Sequence, residues 1–194
     1  MTPPVKNRCA WVPADDDLYR AYHDEEWGTP LKDDRALFEL LILETFQAGL
    51  SWRLILGRRE AFRAVFNAFN PELIAAWTDA HIEHLLRDPT IIRNRQKLEA
   101  ARANARAFLK IRKEHGTFSD WLWNYVDFTP VTGRWAEPGE VPASTPLSRT
   151  ISRDMKKLGF SFTGPVTVYS LLQAAGLVQD HLVSCYRYAE LTRS

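Results

Sequence analysis

Helical periodicity runs through most of the chain and constrains its fold more than any other feature of the sequence. Apolar residues recur three and four positions apart over long segments, as Leu37, Leu40 and Leu41 do. No segment of useful length shows the strict alternation of apolar and polar residues that is typical of a strand. Only residues 160–163 are a candidate for one short extended piece. The pattern therefore predicts an all-α protein.

Glycine, proline and capping residues divide this periodicity into separate helices. The first long helix is predicted to begin at Asp33 or Asp34 and to end or bend near Gly49. The other predicted helices cover residues 51–66, 71–77, 79–87, 91–115, 119–126, 146–158 and 166–175. Residues 127–146 are rich in proline and predict an irregular surface loop.

The composition is that of a folded protein and gives no sign of a membrane or secretory segment. A chain of 194 residues with 45% hydrophobic residues can bury a sizeable core, as one domain or as two closely packed lobes. The net charge is +1, so a surface for nucleic acid must be a local patch. No run approaches the ~20 apolar residues of a membrane span, and residues 1–6 lack the apolar core of a signal peptide. We therefore expect a cytoplasmic protein with no membrane partner.

Two cysteines and two histidines form the first candidate site. His181 and Cys185 are four residues apart and face the same way on a helix, while Cys9 and His23 lie near the other end of the chain. Two thiolates and two imidazoles suit the closed tetrahedron of a structural zinc ion, provided that the chain ends meet. The alternative is two buried cysteines with two unrelated histidines, and spacing alone leaves both interpretations open.

Glu44 is the centre of the second candidate site. It follows Leu40 by four positions and therefore lies on the apolar stripe of its helix, where an unpaired carboxylate is costly. It either faces a ligand in a pocket or reaches water past its neighbours at the helix edge. Tyr22, Trp27 and Trp52 are candidates for the walls of an aromatic pocket, although core packing is the alternative for any single tryptophan.

The third candidate site is a basic segment that follows a helix break. The break falls at residues 88–90, and the next helix is predicted to begin with free backbone amides close to Arg93, Arg95 and Lys97. A free helix N-terminus beside basic side chains favours phosphate binding. A solvated helix face is the alternative.

Taken together and in this order, the motifs resemble the 3-methyladenine DNA glycosylase I family of the helix-hairpin-helix superfamily. The resemblance covers nearly the whole chain, from about Arg8 to Tyr186. The segments that carry it are residues 8–11 (RCAW), 18–28 (LYRAYHDEEWG), 43–52 (LETFQAGLSW), 91–93 (IIR), 158–164 (LGFSFTG) and 173–181 (QAAGLVQDH), with Cys185. Several specific motifs in one order are far more informative than any one alone.

The resemblance implies a fold, a reaction and a zinc ion. The fold is a single domain over residues 1–194 with two helical lobes and the damaged base held between them. The reaction is hydrolysis of the N-glycosidic bond of 3-methyladenine in alkylated double-stranded DNA, which releases the free base and leaves an abasic site without cutting the strand. The zinc is structural, and the protein is expected to be a monomer. The zinc ligands that it implies are Cys9, His23, His181 and Cys185.

The resemblance also implies roles for single residues in the base pocket and on the DNA. Glu44 hydrogen-bonds the modified adenine as the catalytic side chain, Tyr22 and Trp52 stack on the base, and Trp27 completes the wall. The DNA contacts that it implies are Leu50, near the gap left by the extruded nucleotide, and Arg93, Arg95 and Lys97 on the backbone.

Three positions depart from the family pattern. Thr90 stands where the family usually has glycine, which is costly if the backbone there needs a positive φ. Gln179 replaces the common asparagine, and Thr45 follows Glu44 where glycine is frequent. Two other classes of protein would share part of the sequence pattern: a zinc-stapled helical module that binds DNA without chemistry, and a protein-interaction module.

Overall fold

The computed structural model describes residues 6–193, and these are mainly helical. The helices are α1 Asp17–Ala21, α2 Asp34–Gln47, α3 Trp52–Gly57, α4 Arg59–Val65, α5 Pro71–Ala75, α6 Asp79–Leu85, α7 Arg95–His115, α8 Phe118–Trp123, α9 Pro146–Lys157, α10 Pro165–Ala174 and α11 Tyr186–Leu191. Within residues 6–193, no helix has both the length and the apolar character needed to cross a membrane. The expectation about a signal peptide concerned residues 1–6, of which 1–5 lie outside the described residues.

Most predicted helices are present, but some of their ends differ, one is broken internally, and the short helices α1 and α11 were not predicted. Helix α2 was predicted to begin at Asp33 or Asp34. Asp33 is its cap, because the side chain accepts a hydrogen bond from the Ala36 amide at 2.8 Å. The predicted helix over residues 51–66 is divided into α3 and α4 at Arg58. The predicted helix over residues 91–115 begins only at Arg95, because the Asn94 side chain caps it there.

Residues 160–163 were the candidate for a short extended piece, and that prediction was wrong. Residues 160–163 form a bend, whereas the two described strands are β1 Val131–Thr132 and β2 Val178–Gln179. They pair in parallel, with Val131 opposite Val178. Two-residue strands are too short to show any alternation, and their pairing joins the proline-rich segment to a distant buried one.

Helix α2 is the centre of the fold. Nearly all of its residues from Leu37 to Phe46 are buried, so the helix is enclosed on every side. The long helix α7 packs against it with an apolar stripe that includes Leu98, Ala105 and Phe108, and α8 and α10 also contact it. A side chain on α2 therefore points into the protein in almost any direction.

The two ends of the described chain meet in a second, smaller cluster of buried residues. Cys9, Leu182 and Cys185 form it, and Trp27 is among the partly buried residues that pack against it. The backbone amide of Tyr186 donates to the carbonyl oxygen of Asn7 at 2.9 Å. This meeting of the chain ends is the condition that the predicted four-residue metal site required.

Candidate functional site

A cavity of about 150 Å³ lies between α2, the start of α3, α10 and the segment that precedes α2. Its lining is mostly aromatic, with one carboxyl group. The lining residues are Trp11, Tyr19, Tyr22, Trp27, Glu44, Gln47, Trp52, Ser170 and Gln173. Four of them, Tyr22, Trp27, Glu44 and Trp52, were predicted together as a pocket.

Glu44 is the buried carboxyl group of this cavity. Its side chain is 3% exposed, and within residues 6–193 it has no hydrogen bond or ion pair. Burial raises the pKa of Glu44 to about 8. The alternative in which Glu44 reaches water at the edge of its helix is therefore wrong, and the carboxyl group lies where a molecule in the cavity could satisfy it.

Aromatic rings form the walls around Glu44. The ring centroids of Tyr22 and Trp52 are 5.4 Å apart, and those of Trp11 and Trp27 are 5.1 Å apart in an edge-on arrangement. Burial, followed by the charge of Glu44, holds the pKa of Tyr22 well above its usual value. Such rings present apolar faces that suit a flat, aromatic and positively charged ligand.

A π-helical turn over Tyr22–Glu26 divides consecutive side chains between two sites. Tyr22 points into the cavity, whereas His23 points into the cluster of cysteines and histidines at the chain ends. Single π-helical turns are frequent at functional sites because they re-aim side chains. The turn places the cavity and the cluster side by side.

The four side chains predicted as metal ligands come together and are all buried. The ligand atoms of Cys9, His23, His181 and Cys185 lie within 4.8 Å of one another. The sulfur-to-nitrogen distances are 3.4 Å from Cys9 Sγ to His181 Nδ1, 3.4 Å from Cys185 Sγ to His23 Nε2 and 3.6 Å from Cys185 Sγ to His181 Nδ1. A tetrahedron with zinc-to-sulfur and zinc-to-nitrogen bonds of ordinary length has such an edge of about 3.5 Å.

The outer ring nitrogens of both histidines have acceptors. Nδ1 of His23 lies 2.8 Å from Asp24 Oδ1, and Nε2 of His181 lies 3.0 Å from the Trp27 carbonyl oxygen. Each imidazole can therefore keep its proton on the outer nitrogen and offer a lone pair to the cluster, as in established metal sites. Although burial acts to raise it, hydrogen bonds from Arg8 and His23 hold the pKa of Asp24 below its usual value. The four residues thus fit a metal ion.

Comparison with known proteins identifies the family. The sequence profile of the methyladenine glycosylase family matches residues 11–188. The chain belongs to the methyladenine glycosylase family. It is 44% identical to DNA-3-methyladenine glycosylase 1 of Escherichia coli strain K12 over 181 residues, which cover 93% of this chain and 96% of that protein.

Two solved structures show the same fold. A crystal structure of a 3-methyladenine DNA glycosylase I is 45% identical, with a TM-score of 0.90 and coverage of 93% of this chain and 98% of the other. A structure that describes 3-methyladenine recognition by the Staphylococcus aureus enzyme is 42% identical, with a TM-score of 0.89 and coverage of 93% and 96%. The helical fold implied by the resemblance is therefore confirmed.

The segment predicted to contact DNA is only partly exposed in this glycosylase family member. Arg93 is exposed and has no partner among the described residues, and Arg95 is exposed but pairs with Glu83 of α6. Lys97 departs from the prediction of a surface cation because it is 5% exposed. Its Nζ donates at 2.7 Å to the carbonyl oxygens of Phe46 and Ala48.

Lys97 therefore acts within the protein, at the end of the helix that carries Glu44. The terminal carbonyls of a helix lack partners and carry partial negative charge, which a lysine ammonium satisfies. Beyond them, Gln47 Nε2 donates to the Leu50 carbonyl oxygen at 2.8 Å, and Gly49 adopts a φ of +78°. The loop that presents the half-buried Leu50 is thus fixed by side chains on both sides.

The turn between α6 and α7 is held from inside by Arg58. Its Nη1 donates to three successive carbonyl oxygens, of Pro89 and Thr90 at 3.1 Å and of Ile91 at 3.3 Å. Asp88 accepts from the Thr90 amide at 2.8 Å and from the Thr90 hydroxyl. Thr90 is not among the residues with positive φ, so its place in a usual glycine position brings no backbone strain there.

Several residues that line the cavity were not predicted from the sequence. Tyr19 precedes Tyr22 by three positions, a helical spacing that places both on one face and could have indicated it. Ser170 and Gln173 show the same spacing on α10, but nothing in the sequence connects that helix with Glu44. Trp11 had entered only as part of residues 8–11, one of the segments that carry the family resemblance.

Proposed function

We propose that this chain is a DNA-3-methyladenine glycosylase that hydrolyses the N-glycosidic bond of 3-methyladenine in alkylated DNA, releases the base and leaves an abasic site. The observation that carries the proposal is the buried carboxyl group of Glu44, which faces an aromatic cavity and has no hydrogen-bond or ion-pair partner among residues 6–193. A protein that only binds DNA or another protein has no use for it. Membership of the methyladenine glycosylase family supports the same conclusion.

The substrate explains why the cavity holds so few ionisable groups. Adenine methylated at N3 is cationic while attached to the sugar, so the base leaves as a neutral molecule and needs little help from an acid. The sugar passes through an oxocarbenium-like state, which water attacks. Selecting the damaged base is then the main task, and the base must first leave the DNA stack at a cost of a few kcal/mol.

Glu44 and the aromatic rings make that selection. The faces of Tyr22 and Trp52 attract the cationic ring, and Trp27 closes the wall. The arriving positive charge favours the ionised form of Glu44, which then accepts a charge-assisted hydrogen bond from the base. Neutral adenine gains less from both interactions, so it stays in the helix.

The cluster of Cys9, His23, His181 and Cys185 would hold a structural zinc ion. The donor set has two thiols and two imidazoles, the hydrogen bond from Cys9 and those of the histidines lower the pKa of Cys185, and all four side chains are buried. With four protein ligands, the ion would have no open position for water, so it would join the chain ends and take no part in hydrolysis.

The surface that meets double-stranded DNA includes Leu50, Arg93 and Arg95. Arg93, which is exposed and has no partner among residues 6–193, would contact a phosphate, and Leu50 comes two residues before Trp52, which lines the cavity. Lys97 supports this surface from inside, through the end of α2. We further propose one domain of two helical lobes that acts as a monomer.

Duplex DNA treated with a methylating agent provides the test. We expect the protein to release 3-methyladenine as the free base, identified by chromatography and mass spectrometry, and to leave strands that break only on heating in alkali. Breakage without alkali would show a lyase and contradict the proposal. Binding of the DNA without release of any base would make the chain a binding module.

A further inference from the structure

Gln173 is a polar side chain that lines the cavity, and a hydrogen bond to Asp180 fixes the orientation of its amide. It lies near the end of α10 and lines the cavity with Glu44. Its Nε2 donates to Asp180 Oδ2 at 2.8 Å. As a carboxylate, Asp180 can only accept hydrogen bonds, so the amide must turn its nitrogen toward Asp180 and its oxygen away.

Asp180 is itself held in place by two further donors. It is 3% exposed, Trp135 Nε1 donates to its Oδ1 at 2.7 Å, and the Tyr169 hydroxyl donates to its Oδ2. An indole N–H is a donor only, which fixes Oδ1 as an acceptor. A Cβ on Gly133 would lie 2.2 Å from Trp135 Nε1 and 2.3 Å from Asp180 Oδ1, so the absence of a side chain there makes this arrangement possible.

The oxygen of the Gln173 amide is therefore an acceptor that cannot become a donor. Within residues 6–193, Gln173 Oε1 has no hydrogen-bond partner. An ordinary glutamine can rotate its amide and adapt to a donor or to an acceptor on a ligand. This one cannot, because rotation would place Oε1 against the carboxylate oxygen of Asp180.

We propose that Gln173 is a specificity-determining residue that accepts a hydrogen bond from the 6-amino group of the bound purine, and that Asp180 is its positioning residue. The inference rests on the proposed function and names the part of the base that the cavity recognises. A 6-oxo group brings lone pairs where the 6-amino group brings a hydrogen, and it would face Gln173 Oε1 without a hydrogen bond. The cavity consequently favours methylated adenine over methylated purines that carry oxygen at C6.

Two free bases with different groups at C6 provide the test. The wild type should bind 3-methyladenine at least about tenfold more tightly than 3-methylhypoxanthine, measured by titration of tryptophan fluorescence. Gln173→Met removes the polar group at similar size, and we expect the ratio of the two affinities to fall about fivefold to tenfold, the effect of one neutral hydrogen bond. Gln96→Met is the matched control, because Gln96 is an exposed glutamine on α7, and it should leave the ratio unchanged.

Asp180→Asn separates positioning from structural support. An asparagine can donate as well as accept, so the Gln173 amide becomes free to turn its nitrogen to the cavity. The variant should bind 3-methylhypoxanthine more tightly than the wild type does, a gain that damage to the fold would not produce. Metal content and the thermal midpoint confirm that it is folded.

The outcomes distinguish this inference from the proposed function. If the wild type excises 3-methyladenine from DNA but folded Gln173→Met keeps the wild-type ratio of affinities, Gln173 does not recognise the base and only this inference is lost. If the affinity of Asp180→Asn for 3-methylhypoxanthine is no higher than that of the wild type, Asp180 is not the positioning residue. If the wild type excises no 3-methyladenine at all, the proposed function itself is wrong.

Discussion

At the scale of single residues, Glu44 places function in opposition to stability. Its carboxyl group is buried on the central helix with no partner in the part of the chain that the structure describes, and burial raises its pKa from 4.5 to about 8. The folded protein therefore binds a proton that the unfolded chain releases. The contribution of Glu44 to stability is fully present below about pH 4.5 and is lost as the pH rises through about 8.

Glu44→Gln should be more stable than the wild type at high pH and much less active. Glutamine keeps the shape but never ionises, so the difference in unfolding free energy should grow with pH, by up to ~1.4 kcal/mol per pH unit between pH 5 and 8. Excision of 3-methyladenine should fall about 10- to 100-fold because the charge-assisted hydrogen bond is lost. Urea unfolding at pH 5, 7 and 9 and single-turnover excision measure the two effects.

Glu114→Gln serves as the control for this change, because Glu114 is an exposed glutamate on α7. It should alter neither the pH dependence of unfolding nor the rate of excision. A Glu44→Gln protein that excises at the wild-type rate and shows the wild-type pH dependence would contradict both the burial argument and the assignment of the pocket.

At the scale of elements, the turn between α6 and α7 and the end of α2 are both fixed by buried or half-buried cations. Arg58 holds three carbonyl oxygens of the turn, and Lys97 holds two carbonyl oxygens at the end of α2. With its carbonyl oxygens held by Arg58, the turn keeps one shape beside the exposed Arg93. The DNA contact proposed for Arg93 would therefore require little ordering of the backbone on binding.

Arg93→Ala should change DNA binding without changing stability, whereas Lys97→Met should change stability without changing the salt dependence of DNA binding. Arg93→Ala should weaken binding to any duplex about equally and reduce the slope of log affinity against log salt by about one, with no change in thermal stability. Lys97→Met should leave that slope unchanged but destabilise the protein by ~1–3 kcal/mol, since two buried carbonyl oxygens lose their donor. Fluorescence anisotropy across a salt series and thermal unfolding measure these effects. A salt slope that falls for Lys97→Met and not for Arg93→Ala would reverse the two assignments.

At the scale of the whole molecule, the cysteine and histidine cluster connects the ends of the chain to the base pocket. The ring of Trp27, which lines the cavity, lies 4.6 Å from the ring of His181 in the cluster. The carbonyl oxygen of Trp27 accepts from the other side of the same imidazole. A change in the cluster should therefore affect both the stability of the fold and the shape of the pocket.

Cys185→Ala should lose the metal ion and lower the thermal midpoint together. The wild type should contain one zinc per chain by elemental analysis, and binding of a structural metal is coupled to folding. Loss of a few kcal/mol in a chain of this length corresponds to a fall of roughly 10 °C. Ser184→Ala is the control, because Ser184 is the exposed neighbour of Cys185. A wild-type protein that is purified in the presence of zinc, is fully stable and contains no metal would contradict this prediction.

The amino-acid sequence by itself determined the helical class, most of the helices and the identity of the candidate ligands. Helical spacing and capping depend on interactions within a few residues, so Asp33, Ser51 and Gly49 indicate where helices and turns fall. The four metal-ligand candidates could be named from the sequence because thiols and imidazoles are the groups that zinc prefers, but their spacing left a metal site and unrelated buried residues both open. Their assembly was predicted only through the resemblance to a family.

Only the tertiary structure decided which charged side chains are buried. Lys97 follows two arginines in sequence and looks like a third surface cation, yet α7 turns it inward to the end of α2. Gln173 gives no sign in the sequence that Asp180 fixes its amide. Periodicity reports which face of a helix is apolar, but it does not report which distant carbonyl or carboxylate that face meets. The contact of Lys97 with Phe46, for example, joins residues 51 positions apart, a separation that no local sequence pattern reports.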